Sequence, residues 1–324
     1  MDSRKLEFSD HEIAQMQRFN KTLAWLPRFR IRNRVTPRLI QTLLRVSQKA
    51  GADKLRKHGL AAESIVIGSP GLTVPVRIIR PKGQARGVVL DFHGGGWVIG
   101  NAQMNDELNA GMVNQCDVAV VSVDYRLAVN TPVEGLLEDC LGAARWLLGC
   151  EEFANLPVIV VGESAGAHLA AATLLGLQSS PDLLQRIHGA LLYYGVYDLT
   201  GTASVRNASS ATLVLDGPGM VEALRLLTPD RSDAQRQQPP LSPLYGDFAD
   251  MPPALLFAGE LDPLRDDTLE LAARWKTAAA VEVHLLPSSA HGFIHFPTAM
   301  ADKVLAHSRA WINLRLAALK PTAQ

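Results

Sequence analysis

The chain has 324 residues, 47% of them hydrophobic and 20% charged, with 32 basic and 32 acidic side chains and a formal net charge of zero. These proportions are ordinary for a globular protein with a large core. They do not call for a nucleic-acid or membrane class.

The opening, MDSRKLEFSDHEIAQ, is too charged to read as a signal peptide, and no run of eighteen apolar residues could span a bilayer. Cys116, Cys140 and Cys150 are an odd number without CxxC or Cys/His metal spacing. They are expected to be reduced, buried small side chains in a cytoplasmic protein without metal or cofactor. The sequon Asn207-Ala208-Ser209 then reads as a chance match. Charge is uneven, with fourteen Lys and Arg against five Asp and Glu in residues 1–60. The sharpest basic patch, RFRIRNR (28–34), carries no recognised nucleic-acid motif, and is expected to be a solvated face or a contact with the acidic remainder.

Within 11–26, Ile13, Met16, Phe19, Leu23 and Leu26 fall at steps of three and four, predicting an amphipathic helix. A second helical pattern follows Pro37, with Leu39, Ile40, Leu43 and Leu44. We read residues 1–60 as a helical N-terminal segment and 61–324 as the catalytic domain. From about 62 the period becomes two, and ESIVIGS and LTVPVRIIRP predict a hairpin joined by Ser69, Pro70 and Gly71. Six apolar runs follow, at 87–92, 118–125, 157–162, 189–195, 253–259 and 281–287. Runs apolar on both faces suit a parallel sheet covered on both sides. Helical patterns lie between several of them, at about 132–149, 164–177, 264–279 and 297–318, which predicts a doubly wound, mostly parallel sheet with an antiparallel start. Residues 199–245 break the rhythm with Gly, Ser and Pro clusters around a helix near 219–227, so we read an insertion over the sheet. In such sheets ligands bind beyond the carboxyl ends of the strands, so functional residues should follow the apolar runs.

Gly162-Glu163-Ser164-Ala165-Gly166 fits G-x-S-x-G and follows such a run. Alone the pattern is weak, with roughly 0.1 chance matches in a chain this long. Placement strengthens it, because PVIVVG is a strong strand and AGAHLAAATLLGL a strong helix. A strand that turns sharply into a helix holds its serine in a strained backbone and needs small neighbours. The turn exposes the hydroxyl and leaves the Ala165 N–H at a helix N-terminus, where it can stabilise a negative oxygen. His93-Gly94-Gly95-Gly96 follows another run, and its chance frequency is on the order of 0.002 per chain. Gly95 and Gly96, with Ala165, are the candidate oxyanion donors; His93 is expected to hold the loop.

A serine nucleophile needs a histidine base, and the histidine a carboxylate. Of nine histidines, His168 lies one turn after Ser164 and is expected in the core. His284 falls inside a strand, His307 in a helix, and His291 in the loop after the last strand. His291 is the candidate base and His295 its nearest rival. Asp262, just past the penultimate strand, is the candidate carboxylate, with Glu260 the close rival. Asp266 and Asp267 are expected to serve the first turn of the next helix, and Asp124 to pair with Arg126. The order Ser164, Asp262, His291 is that of a strand-elbow hydrolase.

HGGGW, DYRLA, GESAG, LDPLRDD and HGF, in this order over residues 62–318, resemble the hormone-sensitive-lipase-like (bacterial family IV) esterases. The resemblance implies an α/β-hydrolase fold with an eight-stranded sheet and a helical cap built from the N-terminal segment and the insertion. It also implies metal-free hydrolysis of short-to-medium acyl esters by Ser164, His291 and Asp262, with Gly95, Gly96 and Ala165 as the oxyanion hole. Trp97 and Tyr194 are expected to line the substrate pocket, and a homodimer through an edge strand is common in that family. Two stretches depart from the pattern. Val129-Asn130 stand where Pro-Glu is common, which bears on substrate preference, and Glu163 and Ala167 stand where Asp and Gly are frequent. The same machinery would serve amides, carbamates or lactones, and a receptor that lost turnover is the rival from a different class. The filled triad positions favour an enzyme.

Overall fold

The computed structural model describes residues 6–318 except 32, 34, 51–53, 70 and 71. Helices α1 (Asp10–Leu23), α2 (Val35–Ala50) and α3 (Lys54–Lys57) precede a hairpin of β1 (Ala62–Ser69) and β2 (Leu72–Ile79). Strands and helices then alternate: β3 (Gly87–Phe92), α4 (Asp106–Cys116), β4 (Val118–Val123), α5 (Val133–Gly149), β5 (Val158–Glu163), α6 (Ala165–Leu177), α7 (Pro181–Leu184) and β6 (Ile187–Tyr193). The 199–245 stretch carries the short helices α8 (Ala203–Arg206), α9 (Met220–Leu227) and α10 (Asp233–Arg236). The chain closes with β7 (Ala254–Gly259), α11 (Arg265–Trp275), β8 (Val281–Leu286) and α12 (Ala299–Ala317).

The strands form one eight-stranded sheet in the order β1-β2-β4-β3-β5-β6-β7-β8. β1 pairs antiparallel with β2 and β2 antiparallel with β4, and every later pairing is parallel. Strands β3, β4, β5 and β7 are buried at every position. Alternate residues feed two cores: Val88, Leu90 and Phe92 pack with Leu136 of α5 and Leu169 of α6, while Val89 packs with Val113 of α4 and Ile312 of α12. Sheet burial on both faces explains why these strands read as unbroken apolar runs rather than alternating ones.

Several boundaries differ from the sequence reading, each for a local reason. β6 ends at Tyr193 rather than 195, because Tyr194 turns to φ +40°. The hairpin pairs Ser69 with Leu72, and the expected turn residues Pro70 and Gly71 lie outside the described residues. Helix α2 starts at Val35, ahead of Pro37: Asn33 Oδ1 accepts from the N–H groups of Val35 and Thr36, and proline is tolerated in a first turn. α1 ends at Leu23, leaving Leu26 54% exposed.

The apolar stripe of α2 does not face the core. Leu39, Ile40 and Leu43 are exposed, while the polar side docks through Gln41, whose amide exchanges two 2.8 Å hydrogen bonds with the backbone of Gly100. Gln48 and Asn101 exchange two hydrogen bonds between their side-chain amides, at 2.9 and 2.6 Å. The basic patch meets the 199–245 stretch. Phe29 N–H donates to Val214 O, Asp216 N–H donates to Phe29 O, and Arg30 pairs with Asp216 at 3.2 Å. Among the described residues no helix is long and apolar enough to cross a membrane.

Candidate active site

Strand β5 runs directly into α6, and Ser164 sits between them at φ +52° and ψ −121°. That conformation costs a residue with a Cβ about 1–3 kcal/mol, and it is held here by the flanking elements. Ser164 N–H donates to Tyr193 O across the sheet. The neighbouring glycines are required by space. A Cβ on Gly162 would stand 2.5 Å from Gly166 O, and one on Gly166 would stand 1.9 Å from Phe92 O.

His291 reaches this serine from the loop after β8. Its Nε2 accepts from Ser164 Oγ at 2.9 Å, and its Nδ1–H donates to Asp262 Oδ2 at 2.8 Å. The tautomer is assigned from Asp262, whose carboxylate oxygens serve as acceptors. Asp262 Oδ1 accepts the Leu264 N–H at 2.9 Å, which fixes the carboxyl plane. Asp262 and His291 are both buried. The rivals are turned elsewhere. Glu260 accepts the Ser288 N–H, and His295 binds Glu163.

The glycine loop lies beside the serine. Gly95 (φ +108°), Gly96 (φ +59°) and Trp97 (φ +62°) make a left-handed run. Packing enforces it, because a Cβ on Gly95 would stand 2.1 Å from Ile99 O. His93 Nδ1–H donates to Gly94 O, and its ring stacks on Tyr125, whose hydroxyl donates to His93 O. Burial lowers the His93 imidazole to about 4, so it stays neutral and braces the loop. Ala165, directly after the serine, is the first residue of α6.

Above these groups is a cavity of about 650 Å³. Its floor includes Gly95, Gly96, Ser164 and His291; its walls include Phe29 and Ile31 from the N-terminal arm and Leu215 and Leu227 from the 199–245 stretch. Trp97 and Tyr194 both line it while being almost wholly buried. Trp97 Nε1–H donates to His168 Nδ1, and His168 Nε2–H donates to Leu241 O, so this buried histidine orients the indole. The Tyr194 ring packs edge-on to His291, with centroids 4.7 Å apart, and its hydroxyl donates to Glu163 Oε2.

Other partners differ from expectation or were not legible. Asp124 does not pair with Arg126, which is drawn instead to Asp139 and Glu138 at the start of α5. Asp266 and Asp267 stand in the first turn of α11 as expected, and Asp267 there also accepts from Tyr197 N–H, Asp198 N–H and Thr202 Oγ1, tying the loop after β6 to α11. Asp266 likewise accepts the Ser204 N–H. Beneath the glycine loop, Asp91 accepts from Asn105, Asn109 and Ser122; burial raises its carboxyl to about 6 against those hydrogen bonds. No motif or period in the sequence marks this network. In the His291 loop, the Ser288 carbonyl accepts from Asn20 of α1 at 2.7 Å, so the N-terminal helix braces that loop.

Comparison with known proteins identifies the fold and the family. Residues 89–295 match the profile of a family described by the alpha/beta hydrolase fold. Carboxylesterase NlhH of Mycobacterium tuberculosis is 33% identical over 273 residues, covering 81% of this chain and 82% of that protein. The crystal structure of esterase LipW from Mycobacterium marinum superposes with a TM-score of 0.74 at 26% identity, over 96% of this chain and 92% of that one. A hyperthermophilic esterase from the archaeon Pyrobaculum calidifontis gives a TM-score of 0.78 at 25% identity, over 95% and 98% of the two chains. With the motifs and the eight-stranded sheet, these matches establish that the chain belongs to the α/β-hydrolase-fold family, in its hormone-sensitive-lipase-like branch.

Proposed function

We propose that this chain hydrolyses carboxylic esters of short-to-medium acyl length through a serine acyl-enzyme. The observation that carries the reading is the placement of His291 between Ser164 Oγ at 2.9 Å and Asp262 Oδ2 at 2.8 Å, on the floor of the 650 Å³ cavity. His291 Nε2 takes the Ser164 proton as Oγ attacks the ester carbonyl. The N–H groups of Gly95, Gly96 and Ala165 hold the tetrahedral oxyanion, a role in which one donor is worth about 10²–10³ in rate. His291 then returns the proton to the departing alcohol. Water, deprotonated by the same imidazole, attacks the acyl-enzyme and restores Ser164. Asp262 holds the tautomer that makes Nε2 the base.

The substrate pocket in this reading uses Trp97 and Tyr194 with the apolar walls from the two flanking segments. Residues up to 60 and 199–245 act as its cap, supported by the backbone pairing of Phe29 with Val214 and Asp216. A homodimer, if formed through a sheet edge, would use β1 or β8, and light scattering of the purified chain tests it.

Release of p-nitrophenol from acetyl, butyryl, octanoyl and dodecanoyl esters tests the function, with Ser164→Ala alongside. Turnover concentrated at the shorter chains and reduced about 10⁴-fold or more in the variant is expected. Absence of Ser164-dependent turnover on every ester would overturn the reading and leave amides, lactones or binding without turnover.

A further inference from the structure

At the far edge of the sheet, away from the cavity, three side chains converge that no sequence spacing would group. Glu282 and His284 stand two residues apart on the same face of β8, the outermost strand, and His307 reaches them from α12. Nε2 of His284 and Nε2 of His307 each lie 2.6 Å from Glu282 Oε1. The three donor atoms lie within 4.8 Å of one another. The two imidazole rings meet at 82° with centroids 5.0 Å apart, so they point at a common spot instead of stacking.

The surroundings hold both rings in that pose. His284 stacks on Phe257 at 5.3 Å, and His307 stands edge-on to the same ring at 6.2 Å. Phe257 in turn stacks on Tyr193. One side of the cluster is therefore an aromatic floor, while the Glu282 and His307 side chains keep 20% and 23% exposure, enough for entry from solvent. None of the three residues lines the Ser164 cavity.

We propose that Glu282, His284 and His307 form a binding site for a divalent transition metal of the zinc class, with a fourth position left to water. Two imidazole nitrogens and one carboxylate oxygen are a ligand set that suits such ions, whereas magnesium and calcium demand oxygen alone. Ligand bonds of about 2.0–2.2 Å place ligand atoms roughly 3.3 Å apart in a tetrahedron. The two short contacts to Glu282 Oε1 need open by only a fraction of an ångström to admit the ion. Each imidazole would present Nε2 unprotonated, its proton moving to Nδ1 or, from a charged ring, to solvent. The ion would staple an edge strand to the C-terminal helix, and its role is structural. It also blunts a sheet edge, where unpaired backbone groups otherwise invite association.

The test uses the full chain, stripped with a chelator and titrated with zinc or magnesium ions by calorimetry and thermal unfolding. One equivalent of zinc should bind and raise the unfolding midpoint, magnesium should do neither, and cobalt(II) should give the visible band of tetrahedral nitrogen-oxygen coordination. His307→Gln and Glu282→Gln should each weaken zinc about tenfold or more and lose the midpoint rise, while still unfolding cooperatively. The cobalt band of the unaltered chain is informative even if a variant fails to fold. No stoichiometric zinc uptake and no such band would overturn the site. Equal uptake by both variants would do the same, because it would place the zinc on other histidines. Ester turnover is not the readout, so failure here is separable from failure of the esterase reading.

Discussion

His295 Nε2 lies 2.6 Å from Glu163 Oε2, so the residue immediately before Ser164 is a carboxylate with a histidine of its own. Glu163 is buried among His295, Tyr194 and His291. Burial by itself would raise its carboxyl, but His295 and the Tyr194 hydroxyl outweigh that and hold it at about 2. Burial would likewise lower His295, and the Glu163 carboxylate instead holds it above its ordinary value. Two carboxylate–histidine pairs thus flank Ser164 in this structure, and Glu163, His291 and His295 of these line the cavity.

This second pair sets a pH window for stability. A carboxylate lowered by folding contributes above its unfolded value near 4.5 and loses that contribution as pH falls toward 2. A histidine raised by folding contributes fully below its unfolded value near 6.5 and loses that contribution as pH rises through the folded value. Both contributions are complete only between about pH 4.5 and 6.5. His295→Gln should therefore cost the most stability in that window, about 1 kcal/mol because the His295 side chain is 44% exposed, and less by pH 9. Urea unfolding of both proteins across pH checks this. A pH-independent difference would mean that the pair carries no ionic contribution.

The backbone of Ser164 at φ +52° makes a contrast between two inactive variants informative. Ser164→Gly and Ser164→Ala both lose the hydrogen bond to His291, but only glycine enters this conformation freely. Strain relief of about 1–3 kcal/mol outweighs the greater unfolded-chain entropy of glycine, about 0.4–1 kcal/mol. The glycine variant should be the more stable by about 1 kcal/mol, the reverse of the usual order. Denaturant titration of the pair measures it, and an alanine variant of equal or greater stability would show that the elbow is not strained.

Phe29 lines the cavity and lies against Gly96, where an added Cβ would come within 2.8 Å of its ring. Its backbone bonds to Val214 and Asp216 do not depend on the side chain. Phe29→Ala should lengthen the pocket and raise the ratio of kcat/KM for octanoyl over acetyl esters about tenfold. An unchanged ratio would remove Phe29 from the acyl path.

Gln41 is the buried polar anchor of α2. Gln41→Leu would leave the Gly100 N–H and carbonyl without their partners at a cost of about 1–3 kcal/mol. The apolar stripe of α2 faces outward, so Gln48 with Asn101 and Arg38 with Asn130 are the polar contacts left to hold it. Hydrogen exchange across residues 35–50 should accelerate while the sheet stays protected. Protection unchanged in α2 would mean that the helix is held by other contacts.

By itself the sequence determined what depends on neighbours along the chain. The unbroken apolar runs marked strands buried on both faces, the GESAG and HGGG stretches marked turns that only small residues can make, and the order of these pieces specified the doubly wound sheet. Even the placement of His291 after the last strand was legible, because the carboxyl edge is a property of strand direction. Tertiary structure decided everything that needs two distant segments at one point. It set Asp262 on His291 and sent the nearby Glu260 to Ser288, and it drew Arg126 to Asp139 instead of Asp124. It turned the apolar side of α2 outward, because backbone groups at Gly100 bind its glutamine, and no helical period reveals which face finds a partner. It joined Glu163 to His295, 132 residues apart, and Glu282 to His307, 25 apart. A side-chain pair of this kind has no periodic signature: its energy exists only once the sheet and helices have brought both groups within hydrogen-bond distance.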